Sequence, residues 1–372
     1  MSERKINMRA GLQANKDVER IKREYKKFIG RKITFIIFSI LLIAIFAGLA
    51  ATLGSYQIHP IEVYGIVLNG FMNSILTGFY WNPETTKEMV VWNLRLPRIL
   101  LAVLAGMGFA IAGAMTQGIL RNPLATPYTL GIASGAALGA AIAIILTKGI
   151  IFGKYLIVGN AFVFSLIPTF VILGLTRLKK ATPETMVLAG IAMMYIFSAV
   201  TTVLMYFAES DAVKAAYFWT VGDLGRAQWD AVIVAFVALI LISPILMIKA
   251  WDVNIIMGAG DDTAKSLGIN PEKTRIFIML LSCLLTATIV SFVGTIGFIC
   301  LVAPHITRII IGGDNRYLVP ASGFFGGALL LICDTIARTI IAPIVLPVGV
   351  VTAFLGGPMF LYILLRKKKD YW

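Results

Sequence analysis

Apolar residues run in blocks long enough to cross a bilayer as helices, separated by short polar or basic segments. The blocks lie near residues 33 to 53, 98 to 119, 128 to 147, 155 to 176, 187 to 208 and 229 to 248, ahead of a long apolar region from 275 to 365. Within that region Gly294, Gly297 and Pro304 interrupt an otherwise continuous run, which predicts a span near 275 to 296 and a shorter one near 298 to 311. Two more follow near 318 to 337 and 348 to 365, giving ten predicted spans. Residues 60 to 79 mix polar and apolar positions and are expected to lie along the outer surface, as is the segment Asp334 to Leu346.

Charge orients the spans. With the N-terminus inside, the inner segments hold eleven Lys/Arg before residue 33, then Arg121, Arg177, Lys179, Lys180, Lys249, Lys265, Lys273, Arg275, Arg308, Arg316 and the Arg366–Lys369 run. The outer side keeps Lys87, Arg95, Arg98, Lys148, Lys154, Lys214, Arg226 and Arg338. Reading 275 to 311 as one span would leave nine and carry the basic tail outside, against the positive-inside rule. The six tryptophans then fall at interfaces or in loops.

Composition agrees with this topology. At 58% hydrophobic and 14% charged residues over 372 positions, the chain has too much apolar surface for a soluble domain. The formal charge of +14 is spread over span ends rather than gathered in one patch, so it marks topology and argues against a nucleic-acid partner. Residues 1 to 30 read as a basic cytoplasmic tail, suited to lying on anionic lipid, with no cleavable signal expected. Cys283, Cys300 and Cys333 sit in apolar runs without metal or redox spacing and read as reduced packing residues.

The chemistry inside the spans is mild. No span carries Asp or Glu near its middle, the usual mark of an ion-coupled carrier, and no GxxxxGK[ST] phosphate loop occurs. Neither a catalytic residue nor a metal site is expected. Ser134 and His305 share only residue type with a hydrolytic dyad, and His305 reads as a structural histidine. Gly131, Gly135 and Gly139, and likewise Gly323 and Gly327, repeat at four-residue spacing and predict close helix packing.

Two places look built for partners. The loop within residues 249 to 275 predicts a short helix capped by Asp261 and stopped by Gly268 and Asn270-Pro271, with Thr263, Ala264 and Leu267 on a mostly apolar face and Asp262, Lys265 and Ser266 wet. It fits either a helix resting on lipid or one gripped by a cytosolic motor. Arg95 and Arg98, three residues apart at the start of a span, and Arg338 at its outer side suit either headgroups or the carboxylates of an extracellular partner.

These segments resemble the permease subunits of iron-siderophore, haem and vitamin B12 ABC importers. The resemblance rests on Arg95-Leu-Pro-Arg98, Gly113-Ala-Met-Thr-Gln117, Arg121-Asn-Pro-Leu-Ala-Thr-Pro127, Leu130 to Gly139, Phe218 to Leu224, Gly260 to Gly268, Val293 to Arg308, Asp334-Thr-Ile-Ala-Arg338 and Leu346 to Pro358. They occur in the family's order and cover nearly all of residues 33 to 366. The resemblance implies an all-α polytopic protein with the ten-helix, type II importer permease fold, occupying residues 31 to 369 in the bacterial cytoplasmic membrane with both termini inside. It further implies a second copy or a paralogous permease, two cytosolic ATPases that bind the ATP and Mg, and an extracytoplasmic binding protein delivering a ferric siderophore, with haem or cobalamin as alternatives. No cofactor is expected in this chain. By residue, it implies binding-protein docking at Arg95, Arg98 and Arg338, a cytoplasmic gate at Asn122 and Leu124, and ATPase coupling through Asp261, Asp262, Thr263, Ala264, Leu267 and Gly268. The chain departs from the family in its paired Asp261-Asp262, in Asp223 where Ser is common, and in its long basic tail.

Overall fold

The computed structural model describes residues 2–54, 56–77, 81–178 and 182–365. The expectations for Lys179, Lys180, Arg366–Lys369 and Trp372 lie outside these residues. The described chain is helical, without a strand: α1 Ser2–Thr52, α2 Pro60–Thr77, α3 Thr86–Met89, α4 Leu96–Ile119, α5 Ile132–Ile145, α6 Leu156–Leu178, α7 Pro183–Tyr206, α8 Ser210–Val221, α9 Trp229–Ala259, α10 Asp261–Ser266, α11 Pro271–Val293, α12 Ile299–Ile311, α13 Asn315–Thr339 and α14 Val348–Leu365. A π-helical turn, Val90–Arg95, joins α3 to α4.

Among the described residues, seven helices are long and apolar enough to cross a membrane, in α1, α4, α6, α7, α9, α11 and α13. Three shorter apolar helices, Ile132–Ile145, Ile299–Ile311 and Val348–Tyr362, occupy the remaining predicted windows. Local chemistry sets several boundaries. Asn270 accepts from the Lys273 amide ahead of Pro271 to start α11, and Thr182 does the same for α7 ahead of Pro183. Gly294 (φ 72°) ends α11, and α12 begins after Phe298 (φ 67°), so the run breaks where its glycines predict.

Helix α1 runs unbroken from the basic tail into the first span. Three expectations need correcting. Helix α9 continues to Ala259, well beyond residue 248, because Trp251, Asp252 and Asn254 tolerate helix outside an apolar environment. Helix α8 follows α7 where only a loop was expected. Residues 334 to 346 form no surface helix: α13 stays regular to Thr339, and Asp334 is fully buried within it.

Helix α4 is the centre of the bundle, with nearly every residue from Leu96 to Ile119 buried. It packs most extensively against α13, and also against α9, α11 and α12. Glycines make this possible. A Cβ at Gly106 would run into the Gly326 carbonyl, and one at Gly113 into the Cys300 carbonyl of α12, so backbones touch where side chains would otherwise separate them. Gly135 and Gly139 bring α5 equally close to the α6 backbone at Phe164 and Asn160, and Gly323 and Gly327 face α4, which bears out the packing role of both glycine series.

Each end of the bundle is stitched by side chains. Beside the start of α4, Trp92 stacks with Trp81, Trp229 and Phe71 at centroid separations of 5.2, 5.0 and 5.4 Å. At the opposite end the buried Lys32 lies 4.2 Å from the ring centres of both Phe28 and Tyr317 and 3.3 Å from Asp314, which also accepts from Asn254 at 2.8 Å.

A backbone contact cannot yield as a flexible side chain can. Gly113→Ala is therefore expected to cost about 1–3 kcal/mol of overpacking, read as a lower melting temperature in detergent. Gly174→Ala, on α6 with nothing within 4 Å of the added Cβ, should leave the melting temperature unchanged or slightly raised.

Candidate functional site

Helix α4 carries arginines at both ends, and both sets are bound to helix termini and to one aspartate each. At its start, Arg98 donates from Nε and Nη2 to Asp334 Oδ1 at 2.9 and 2.8 Å, and Arg338 donates to Asp334 Oδ2 at 3.1 Å. Arg338 also reaches the Ala50 carbonyl at 3.3 Å, and Arg95 donates to Ala51 at 2.6 Å, to Thr52 at 3.2 Å and to the Tyr56 carbonyl. Ala50, Ala51 and Thr52 end α1, whose last carbonyls have no intrahelical donor. Guanidinium groups thus cap that terminus and find charge compensation at Asp334.

This arrangement changes the expectation for Arg95, Arg98 and Arg338. They gather at one end of the bundle, but not as free hooks. Their side chains are almost fully buried, at 11% exposure for Arg98 and 9% for Arg338, and Asp334 is at 0%. A desolvated cation needs partners, and the fold supplies them internally.

The other end repeats the logic. Arg275 donates from Nη2 to Asp261 Oδ1 at 2.7 Å and from Nε to the Ile119 carbonyl at 3.1 Å, capping α4. Arg121 donates to the same Asp261 oxygen at 2.6 Å and to the Ile256 carbonyl in the last turns of α9. Donation from Arg275 is the largest influence holding the Asp261 carboxyl below the ordinary carboxylate range, opposed by partial burial and aided by the charges of Arg275 and Arg121.

Asn122 and Leu124 follow Arg121 directly. Arg121 sits in the left-handed region at φ 46°, and the Asn122 side chain accepts from the Leu124 amide at 2.9 Å, making an Asx turn. Leu124 is 45% exposed at the tip of that turn.

The short helix predicted after Gly260 is present as α10, with its polarity partly rearranged. Gly260, not Asp261, is its N-cap, at φ 89° and without a side-chain cap, which frees the Asp261 carboxylate to turn inward onto the arginines. Ala264 is fully buried, so it anchors α10 to the bundle rather than facing outward. Asp262, Thr263, Lys265 and Leu267 are exposed, and Gly268 at φ 82° ends the helix as expected.

Arg121, Arg275 and Asp334 were not singled out as site residues in the sequence. For Asp334 the signal was its i,i+4 spacing with Arg338. For Arg121 and Arg275 it was position beside a proposed gate and a proposed docking loop. Ser134 hydrogen-bonds its own helix at the Gly131 carbonyl, 2.9 Å away. Among the described residues no group of three His, Cys, Asp or Glu could hold a metal ion.

Comparison with known proteins gives this geometry a context. The model of the FecCD transport family matches residues 40–366. A Methanocaldococcus jannaschii protein provisionally named as an ABC transporter permease is 47% identical over 94% of this chain and 99% of its own length. The hemin transport permease HmuU of Yersinia pestis is 40% identical over 78% of this chain and 88% of its own. A cobalamin import permease of Halobacterium salinarum is 37% identical over 76% and 74%, and an iron(3+)-citrate import permease of Bacillus subtilis is 39% identical over 74% and 82%. A solved transporter described as metal-chelate type ABC, in an inward-facing conformation, superimposes with a TM-score of 0.77 at 26% identity, covering 90% of this chain and 99% of that one. The chain belongs to the FecCD transport family, as a multi-pass permease subunit of an ABC importer.

Proposed function

We propose that this permease carries a ferric siderophore inward across the cytoplasmic membrane, as one of two copies or beside a paralogous permease, with two ATPases below and a delivering binding protein above. The observation that supports it best is helix α4, buried along its length and locked at one end to Arg98–Asp334–Arg338 and at the other to Arg121–Asp261–Arg275. Such a rod joins a face that receives cargo to a turn that releases it.

The seven long helices and three shorter ones make the ten crossings of this reading. A helix of 13 residues rises about 20 Å against a hydrocarbon core of about 30 Å. Its crossing is completed by the non-helical segment 294–298. Both termini lie on the cytoplasmic side, together with α10 and the Asn122–Leu124 gate.

ATP and Mg belong to the partner. Exposed Thr263 and Leu267, bordered by Asp262 and Lys265, form the face of α10 offered to the ATPase, while Asp261, Ala264 and Gly268 shape and seat the helix. Arg95, Arg98 and Arg338, held inside the fold, fix the shape of the face on which a binding protein docks.

Haem and cobalamin remain the alternative cargoes, since relatives carry both names. An ion-coupled carrier is disfavoured, because the fully buried carboxylate among the described residues, Asp334, has both oxygens occupied by arginines.

Uptake of radiolabelled iron in a deletion strain, across ferric hydroxamate, ferric catecholate, ferric citrate and haem, should fall for a siderophore and return with the intact gene. Loss confined to haem would reassign the cargo. Thr263→Arg with Leu267→Glu should weaken ATPase co-purification by about 2 kcal/mol, the scale of an interface hot spot. Undiminished co-purification would sink the docking face. Combining Arg98→Gln and Arg338→Gln with Asp334→Asn removes every charge of the buried cluster, which is gentler than stranding one of them. This variant should keep basal ATPase activity but lose its stimulation by the binding protein, and full stimulation would remove these residues from the delivery face.

A further inference from the structure

We propose that Asp261 is the transmission contact between the ATPase-facing helix and the gate, a positioning residue that passes displacement of α10 to the Arg121–Leu124 turn. The inference rests on the reading of α10 as the docking helix and of Asn122 and Leu124 as the gate.

The geometry singles out one oxygen. Asp261 Oδ1 accepts from Arg121 at 2.6 Å and from Arg275 at 2.7 Å, so a single atom links the first residue of α10 to the end of α4 and the start of α11. The two arginines are not equivalent. Arg275 is 3% exposed and fixed to the Ile119 carbonyl, so it serves as the stationary strut. Arg121 is 36% exposed, stands in a left-handed backbone conformation and leads straight into the gate turn. Its backbone closes the end of α4, the Arg121 amide donating to the Gly118 carbonyl and the Asn122 amide to that of Gln117, and its side chain is tied to Asp261 and to the Ile256 carbonyl.

The mounting of α10 suits it to movement. Gly260 and Gly268 flank it with φ of 89° and 82°, and neither has any neighbour within 4 Å of a would-be Cβ. The remaining ties to the bundle are the buried Ala264 and a loose Lys265–Glu272 pair at 3.9 Å. A push on Thr263 and Leu267 therefore has a short route to the gate: through Asp261 to Arg121, and from Arg121 along three residues of backbone to Leu124.

The test uses the permease–ATPase complex in nanodiscs, with Leu124→Cys as a reporter. The native Cys283, Cys300 and Cys333 are all buried, so a membrane-impermeant maleimide reads the introduced thiol. Labelling is compared between nucleotide-free and ATP–vanadate-trapped complex. With Asp261 intact, the rate should change at least about fivefold, the lower end of an allosteric coupling. In Arg121→Gln the ratio should fall to about one while the ATPase still co-purifies and hydrolyses ATP; in Asp261→Asn it should also fall to about one, and Asp261→Glu should restore part of the change. A merely structural role would lower yield or thermal stability without selectively erasing the nucleotide response. If Asp261→Asn does not assemble, Arg121→Gln, on the more exposed arm, carries the test alone. A full nucleotide response in Arg121→Gln would overturn the proposal. No response in the parent complex would instead overturn the gate assignment, and the transmission contact with it.

Discussion

Helix termini leave carbonyls without donors, and in an apolar bundle water is scarce to serve them. Here arginines serve them. Arg95 and Arg338 cap α1, Arg275 caps α4 and Arg121 caps α9. A guanidinium brought there carries a charge that must in turn be matched, and each end of the bundle does so with one aspartate shared by two arginines. Asp334 and Asp261 are thus consequences of the same constraint. The architecture of α4 follows from it, because a helix pinned by charge at both ends and packed backbone-to-backbone through Gly106 and Gly113 has little room to bend.

The apolar windows in the sequence located every long helix, since periodicity matters less than length where both faces are apolar. They failed at places governed by something other than hydropathy. Helix α9 overshoots its window because a helix does not stop where the bilayer does. It stops at Gly260, whose φ of 89° turns the chain. Helix α8 was missed because Ser210 to Val221 is too mixed in polarity to register as a span. Asp334 to Leu346 was misassigned because a carboxylate and an arginine read as surface until their partner, Arg98, arrives from 236 positions away.

The candidate site shows the same division. Local features such as the short helix after Gly260 and its stop at Gly268 follow from neighbouring residues and were legible. Direction was not. Nothing local tells whether Asp261 caps its own helix or reaches across to Arg121, 140 residues earlier. The choice depends on Gly260 taking the N-cap position, and on α4 ending and α11 beginning at the same level so that two arginines converge where Asp261 emerges.

The two aspartate clusters differ in burial, and that difference assigns them different work. Around Asp334 the side chains are 0 to 11% exposed, so losing one partner strands a buried charge at a cost of about 3–5 kcal/mol. Around Asp261, Arg121 and the carboxylate are each 36% exposed, and a pair that water can replace contributes about 0–1 kcal/mol. The first cluster is therefore a fixed joint and the second an adjustable one. Under the proposed function, a binding protein meeting the Arg98 end would encounter a preformed surface and gain nothing by prising its pairs apart. Displacement is cheapest at the Asp261 end, where contacts exchange with water and glycines flank α10. Under the same proposed function this asymmetry gives a receiving face that holds its shape while the releasing turn changes.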